Sequence, residues 1–192
     1  MDKTFHWTVD CEGDFGGRTN TTDGLDKGMP IIYKAFKRHD VKGLFFISTE
    51  ILENRPGIAQ DIINEGHEIA CHGHFHFCFK EPWRQEQNMQ ISKTILENYS
   101  DQIYWNVRAP KFSYNFQGQI YSSPENHVSI LKHMWTKQKI TKDSIFYLHP
   151  FDLVGGKYAP TVFCKLWYSK PRKAYETFID LLRRYPGDMR LV

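Results

Sequence analysis

The chain contains no apolar run long enough to cross a membrane, and its start lacks the basic, apolar and small-residue regions of a signal peptide. It also lacks CxxC spacing among its four cysteines, internal repeats and low-complexity segments. These absences argue against a membrane-spanning, secreted or disulfide-stapled protein. We therefore expect a cytoplasmic protein whose cysteines are free thiols.

The chain also lacks a strong charge of either sign. Its net charge is +3, spread along 192 residues without a basic stripe, so nothing indicates a nucleic-acid partner. A hydrophobic content of 41% and a charged content of 24% are ordinary for a globular protein, and the length is sufficient for a sizeable core. We expect a single domain over residues 1–192. The oligomeric state does not follow from the sequence.

What is present is a pair of polar clusters, each directly after a hydrophobic run. Asp10 and Glu12 close the first run, and His72 and His76 follow the run that ends at Cys71. In α/β folds, ligands bind at the carboxyl ends of parallel strands. The sequence therefore predicts a metal site of two histidines and one carboxylate, with a second carboxylate beside it.

The rest of the chain alternates between strand-like and helix-like segments. The predicted strands are Phe5–Val9, Val41–Ile47, His67–Cys71, Gln102–Val107 and Ser144–Leu148. The predicted helices are Pro30–Arg38, Ile58–Asn64, Pro82–Tyr99 and Lys173–Arg184. Residues 10–26 read as a long Gly- and Asp-rich loop. This alternation predicts an α/β fold with a mostly parallel sheet, and it favours barrel-like closure over an open sheet.

Four motifs, in order and each after a strand, resemble those of the polysaccharide deacetylase family, also known as the NodB homology or carbohydrate esterase 4 family. They are Thr8–Glu12, His72–His76, Arg108–Pro110 and Leu148–Pro150. The resemblance covers nearly the whole chain. It implies a distorted (β/α) barrel, complete or incomplete. It also implies a metal-dependent hydrolase that removes an N-acetyl group from a sugar of a polysaccharide or glycan precursor.

The first motif departs from the family pattern. The family usually has Asp-Asp, the first as catalytic base and the second as metal ligand, but here the second position is Cys11. We interpret the segment as an Asp-x-Glu variant, with Asp10 as base and Glu12 as ligand, because alternate residues of an extended segment point the same way. Ligation by Cys11 is the less favoured alternative.

His72 and His76 complete the expected ligand set. With Glu12 they form a three-ligand site of the catalytic type, which leaves a position open for water. His74 could replace His72 in an H-x-H pair, but the resemblance selects His72 and His76. We expect one divalent ion per chain, with zinc as the default and cobalt, nickel or manganese as alternatives.

The resemblance also implies roles for residues of the later motifs. Arg108 would keep the base carboxylate ionised, and the backbone N–H of Lys111 would face the developing oxyanion. His149 would be the general acid, and Leu148 would contact the acetyl methyl group.

The interval between Arg108 and His149 is shorter than expected for the family, so a strand and a helix are expected to be missing. The Asp and Trp that normally tune the acid histidine have no clear counterparts; Asp143 and Trp135 are the candidates. An open site of this kind fits a bulky glycan or a degraded enzyme. The alternatives are therefore a catalytically weak metal- or glycan-binding relic, or a deformylase or other linear-amide hydrolase.

Overall fold

In a computed structural model of the chain, the structure describes residues 6–19, 21–100, 114–116, 119–121, 126–141, 144–155 and 161–187. The predicted strand Gln102–Val107 lies outside these residues. The chain groups into two compact units. Unit 1 comprises Met1–Val9, Gly13–Gly43 and Asn126–Val192, and unit 2 comprises Asp10–Glu12 and Leu44–Glu125. The expectation of a single domain stays a prediction.

Most described strands belong to one sheet in the order β3-β2-β1-β7-β6, while β4 and β5 form an antiparallel pair. The strands are β1 His6–Cys11, β2 Leu44–Ile47, β3 Glu68–Cys71, β4 Tyr114–Phe116, β5 Gln119–Tyr121, β6 His127–Ser129 and β7 Ile145–Leu148. The pairs β1–β7, β6–β7 and β2–β3 are parallel. Among the described strands this order does not close, which agrees with the expected incomplete barrel rather than with full closure.

Helices connect the strands, as the alternation predicts. They are α1 Asp14–Gly17, α2 Met29–Arg38, α3 Ile58–Asn64, α4 Pro82–Leu96, α5 Ile130–Thr136, α6 Val162–Trp167 and α7 Pro171–Arg184. Short 3-10 helices span Thr49–Glu53 and Pro150–Leu153, and Gly24–Gly28 is a π-helical turn. In the part of the chain that the structure describes, no helix has the length and apolarity needed to span a bilayer.

The core of unit 1 is built around the indole of Trp7 on β1. Its ring stacks on Phe146 at 4.6 Å between centroids, and meets the edges of Phe36 at 6.2 Å and Phe178 at 5.7 Å. Its Nε1 donates to the carbonyl oxygen of Tyr185 at 2.9 Å. The apolar rings of this side chain are therefore packed, and its polar N–H is hydrogen-bonded, as is usual for a buried Trp.

In unit 2, β2 and β3 pair in register from Leu44 opposite Glu68 to Ile47 opposite Cys71. All four residues of β2 are buried, as expected for a parallel strand covered on both faces. The backbone N–H of His72 still donates to the carbonyl oxygen of Ile47 at 3.0 Å. The ladder therefore continues one step beyond β3 and carries the chain directly into the histidine motif.

One sequence expectation needs correction. β1 continues to Cys11, so Asp10 and Cys11 belong to a strand and not to the loop expected to begin there. The described residues between Arg108 and His149, the interval expected to be shorter than in the family, include β6 and α5. β6 has only three residues, which is too short for periodicity to reveal.

Candidate metal centre

Two carboxylates lie at the end of β1, one on the strand and one directly after it. Asp10 and Glu12 are both buried, and the carbonyl oxygen of Cys11 between them accepts the backbone N–H of Ser48 at 2.9 Å. A buried carboxylate needs partners or a cation to offset the loss of hydration.

Glu12 meets the two predicted histidines. Its Oε2 lies 2.6 Å from Nε2 of His76 and 3.3 Å from Nε2 of His72. The imidazole centroids are 5.2 Å apart, and one ligand atom from each of the three residues lies within 4.8 Å of the others. All three residues belong to unit 2. The structure thus brings together the ligands that the sequence predicts.

This donor set fits a divalent ion. Two imidazole nitrogens and a carboxylate oxygen are the ligands of many catalytic zinc sites, and tetrahedral zinc places its donor atoms roughly 3.3 Å apart. The spacing from Glu12 to His72 is already 3.3 Å, and that to His76 is 2.6 Å, so the carboxylate oxygen lies near ligand spacing from both imidazoles. Neither Asp10 nor Cys11 is part of the group, so the second carboxylate is left for another role.

Cys11 is not part of this ligand group. Burial raises the pKa of its thiol well above the ordinary value, and the nearby carboxylates of Asp10 and Glu12 raise it further. His74 is also engaged elsewhere, since its Nδ1 lies 3.0 Å from Oγ1 of Thr49.

The 3-10 helix after β2 holds the histidine loop from one side. The N–H groups of Thr49 and Glu50 donate to the carbonyl oxygens of Gly73 at 3.0 Å and His74 at 2.9 Å. The side chain of Glu50 accepts the backbone N–H of His76 at 3.1 Å. These bonds fix the backbone on which the ligand rings are mounted.

Asn88 on α4 holds the same loop from another direction. Its Oδ1 accepts the N–H of Phe75 at 2.8 Å, and its Nδ2 donates to the carbonyl oxygen of Phe75 at 3.2 Å. Its own carbonyl oxygen accepts the N–H of His74 at 3.0 Å. The side chain is buried, so these bonds are shielded from water. Sequence reasoning missed both Glu50 and Asn88, which no local pattern links to the loop.

In unit 1, His149 follows the last residue of β7, as predicted. Its Nδ1 lies 3.5 Å from Oδ2 of Asp152, and the same oxygen accepts the His149 backbone N–H at 2.8 Å. The ring stacks on Phe151 at 4.8 Å between centroids, and Leu148 before it is buried. The buried carboxylate of Asp152 is thus the charged partner of this histidine.

Asp152 was not anticipated from the sequence. The available signal was its position three residues after His149, because the two residues form a reciprocal cap at the start of a 3-10 helix. Of the candidates expected to tune this histidine, Trp135 packs against Trp167, and Asp143 lies outside the described residues. Arg108 and Lys111 also lie outside the described residues, so their roles stay predictions.

Comparison with known proteins identifies the wider group. The family model described as polysaccharide deacetylase matches residues 21–119, about half of the chain. This match includes His72 and His76, whereas Asp10, Glu12 and His149 lie beyond it. No curated protein sequence matches the chain.

Solved structures share the fold. A CE4 family pseudoenzyme from Bacillus anthracis has a TM-score of 0.62 and 15% identity, over 95% of this chain and 61% of that one. The peptidoglycan deacetylase PdaC from Bacillus subtilis has a TM-score of 0.61 and 14% identity, over 95% and 85%. A family 4 acetyl xylan esterase from Clostridium thermocellum, in complex with cobalt, has a TM-score of 0.62 and 13% identity, over 97% and 86%. The chain spans 61–63% of the length of the pseudoenzyme structures that it matches.

Proposed function

This chain belongs to the polysaccharide deacetylase family, and we propose that it is a metal-dependent hydrolase that removes an N-acetyl group from a sugar of a polysaccharide or glycan precursor. The observation that carries the proposal is the buried group of Glu12, His72 and His76, whose ligand atoms converge within 4.8 Å. A divalent ion held there would polarise the amide carbonyl and activate the attacking water.

The remaining roles fall to Asp10, which lies on β1, and to His149, which follows β7. We assign Asp10 as the base that accepts the proton of the attacking water. His149 in its protonated form donates to the departing nitrogen. The carboxylate of Asp152 lies 3.5 Å from Nδ1 of His149 and would orient its ring.

Two comparisons support the substrate class and the metal. PdaC is a peptidoglycan deacetylase, and the Clostridium thermocellum enzyme is an acetyl xylan esterase solved with cobalt. Both act on acetyl groups of glycans by name, so an acetylated sugar is the first substrate to test. Zinc is the default ion for this chain, with cobalt, nickel and manganese as alternatives.

A second candidate is a metal- or glycan-binding relic with weak catalysis. Two observations favour it: a pseudoenzyme of the same fold exists, and Cys11 occupies the usual position of the second aspartate in the first motif. A deformylase or other linear-amide hydrolase is a third candidate, which identification of the released acid distinguishes from a deacetylase.

The test measures acetate release from N-acetylated mono- and oligosaccharides in the presence of Zn²⁺, Co²⁺, Ni²⁺ or Mn²⁺. Asp10→Asn and His149→Ala should lower the rate by about 10² to 10⁴, because that is the usual contribution of a general acid or base. Metal content and folding should stay near those of the unmodified protein. Full metal binding without any acid release supports the relic. A folded Asp10→Asn protein with unchanged turnover would remove the base assignment.

A further inference from the structure

We propose that α5, α6 and the start of α7 carry a surface that binds an anionic lipid bilayer. The exposed residues that define this surface, which we call the Trp135 face, are Trp135, Val162, Leu166, Lys170 and Lys173. All of them belong to unit 1. The proposal goes beyond the proposed activity and does not depend on it, because none of these residues belongs to the candidate metal centre.

The first observation is the exposure of two aliphatic side chains on α6. Val162 and Leu166 are 75% and 66% exposed, the highest values among the large apolar residues that the structure describes. They are one helical turn apart, so they lie on the same face of the helix. Single exposed apolar residues are common, but neighbouring ones on one face form a patch that favours an apolar partner.

The indole of Trp135 connects the three helices at this face. Trp135 lies on α5 and is 37% exposed. Its ring centroid lies 6.1 Å from that of Trp167, which follows Leu166 on α6. The ammonium groups of Lys170 and Lys173, at the start of α7, lie 5.0 Å and 5.6 Å from the Trp135 centroid. The aromatic and basic groups of the face are therefore in contact with one another.

The charge around the Trp135 face is of one sign. Residues 126–142 and 153–175 contain four and five Lys or Arg residues, respectively, and no Asp or Glu. The first acidic residue after them, Glu176, forms an ion pair with Arg172 at 2.9 Å. The sequence shows no basic stripe because these segments are separate in the chain, and contacts such as that of Trp135 with Trp167 bring them together. The face is therefore complementary to a negatively charged partner.

A lipid bilayer fits this combination better than a protein or a nucleic acid does. Lysine is depleted in protein–protein interfaces. Exposed aliphatic side chains such as Val162 and Leu166 add nothing to the phosphate contacts and base stacking that bind nucleic acids. At a membrane surface, apolar side chains enter the boundary of the acyl chains while lysines bind anionic headgroups, and Trp is enriched at this depth.

The polar groups of the face are arranged for contact with lipid. The indole N–H of Trp135 donates to the carbonyl oxygen of Trp167 at 3.2 Å, so it keeps a partner when water is displaced. Lys170 and Lys173 have long flexible stems, which let their ammonium groups stay at the level of the headgroups. We therefore expect the Trp135 face to lie on the bilayer surface, with binding that weakens as salt screens the lysines.

The experiment measures flotation of the intact chain with vesicles of phosphatidylcholine alone or of an equal mixture of phosphatidylcholine and phosphatidylserine. The chain should bind the mixed vesicles more tightly, and sodium chloride should weaken this binding. Leu166→Ser should weaken it by about tenfold, the equivalent of one aliphatic side chain left out of the bilayer. The double variant Lys170→Gln/Lys173→Gln should weaken it by about 25-fold, since one lysine near an anionic surface is worth about fivefold.

Matched controls change the same chemistry elsewhere on the chain. Lys34→Gln/Lys37→Gln removes two exposed lysines from α2, and Ile91→Ser removes an aliphatic side chain that is 39% exposed on α4. Both controls should keep the affinity of the unmodified chain. Circular dichroism of every variant identifies any that fails to fold. Lipids brominated in their acyl chains should quench the tryptophan fluorescence of the unmodified chain, and Trp135→Phe should reduce this quenching.

The proposal is overturned if the mixed vesicles do not bind, or if both vesicle types bind equally well. It is also overturned if the control variants lose as much affinity as the variants of the Trp135 face, or if quenching is the same without Trp135. Sedimentation in the absence of lipid tests the remaining occupant. A dimer that Leu166→Ser converts to a monomer would identify a second copy of the chain as the partner and would contradict the proposal.

Discussion

At the scale of single residues, the histidine loop depends on a glycine between its first two histidines. Gly73 has φ of +89°, and a Cβ at this position would lie 2.6 Å from Nδ2 of Asn88. Any side chain there would strain the backbone and also push away the amide that bonds Phe75. Gly73 therefore leaves room for the Asn88 side chain, which holds the loop between His72 and His76.

We predict that Gly73→Ala weakens zinc binding as well as folding. The left-handed backbone alone should cost about 1–2 kcal/mol in the free energy of unfolding. Gly66→Ala is the matched control, because Gly66 has a similar φ of +85° but has open space around the added Cβ. Urea unfolding and zinc titration of both variants measure the two effects. Equal zinc affinity in the two variants would show that Asn88 does not hold the ligand loop.

A second prediction concerns the carboxylate beside His149. Asp152→Asn keeps an oxygen that can accept the His149 backbone N–H, but it removes the negative charge near Nδ1. Without that ion-pair partner the imidazole is held less firmly as the proposed acid, so the rate should fall while metal binding is kept. Acetate release and zinc content of the folded variant test this, and an unchanged rate would exclude the pairing.

The residue scale also shows what sequence could predict. Glu12, His72 and His76 were predictable because each follows a strand, and parallel strands end at the same edge of a sheet. Glu50 and Asn88 were not, because supporting residues of this kind are selected by the three-dimensional position of another backbone segment, for which no fixed spacing exists. Such residues commonly orient ligands at metal sites.

At the scale of elements, α4 packs partly through polar side chains, which a search for apolar periodicity does not detect. Its buried residues include three polar side chains, Gln85, Asn88 and Ser92, at helical spacing. Gln85 and Asn88 bond the backbone of the loop after β3, and the Cys71 thiol donates to the carbonyl oxygen of Met89 on the same helix at 3.7 Å. This face of α4 packs on a loop that needs hydrogen-bond partners. A search for apolar periodicity therefore does not reveal that α4 holds the loop after β3 by hydrogen bonds.

α7 shows the opposite case, in which sequence and structure agree. The apolar residues Ala174, Phe178, Leu181 and Leu182 recur at helical spacing within the predicted helix, and they are its buried residues. The helix begins at Pro171, two residues before the predicted start, because proline is well tolerated in a first turn. By contrast, α5 and β6 are short, so no window was long enough to reveal them.

A prediction at this scale concerns Phe178, whose buried ring contacts Trp7 and Phe36. Phe178→Ala should lower the free energy of unfolding by about 3–5 kcal/mol, because it leaves a cavity in the core of unit 1. Tyr175→Ala, on the exposed face of the same helix, should change it by less than about 0.5 kcal/mol. Chemical denaturation of both variants measures the difference. Similar losses in the two variants would mean that Trp7 is not the centre of a tightly packed core.

At the scale of the whole molecule, an ion bound by Glu12, His72 and His76 should increase the stability of the folded chain. Glu12 is buried with two imidazoles, and this arrangement gains most from a cation held among them. An ion that binds the folded chain and not the unfolded one stabilises it by mass action, by about 2.7 kcal/mol when its concentration is 100 times the dissociation constant. We predict that Zn²⁺ raises the unfolding temperature of the intact chain.

The same stabilisation should depend on pH in a defined direction. Metal binding requires deprotonated imidazoles and therefore releases protons, so the zinc-dependent rise in unfolding temperature should shrink as the pH is lowered. His72→Ala and His76→Ala should lose both the rise and the bound metal, whereas His74→Ala should keep them, because its Nδ1 is paired with Thr49 and not with Glu12. Thermal unfolding with and without Zn²⁺ across the acidic range measures this, alongside elemental analysis of each variant. If His74→Ala abolished the shift and His72→Ala preserved it, the H-x-H pair would be the true ligand set.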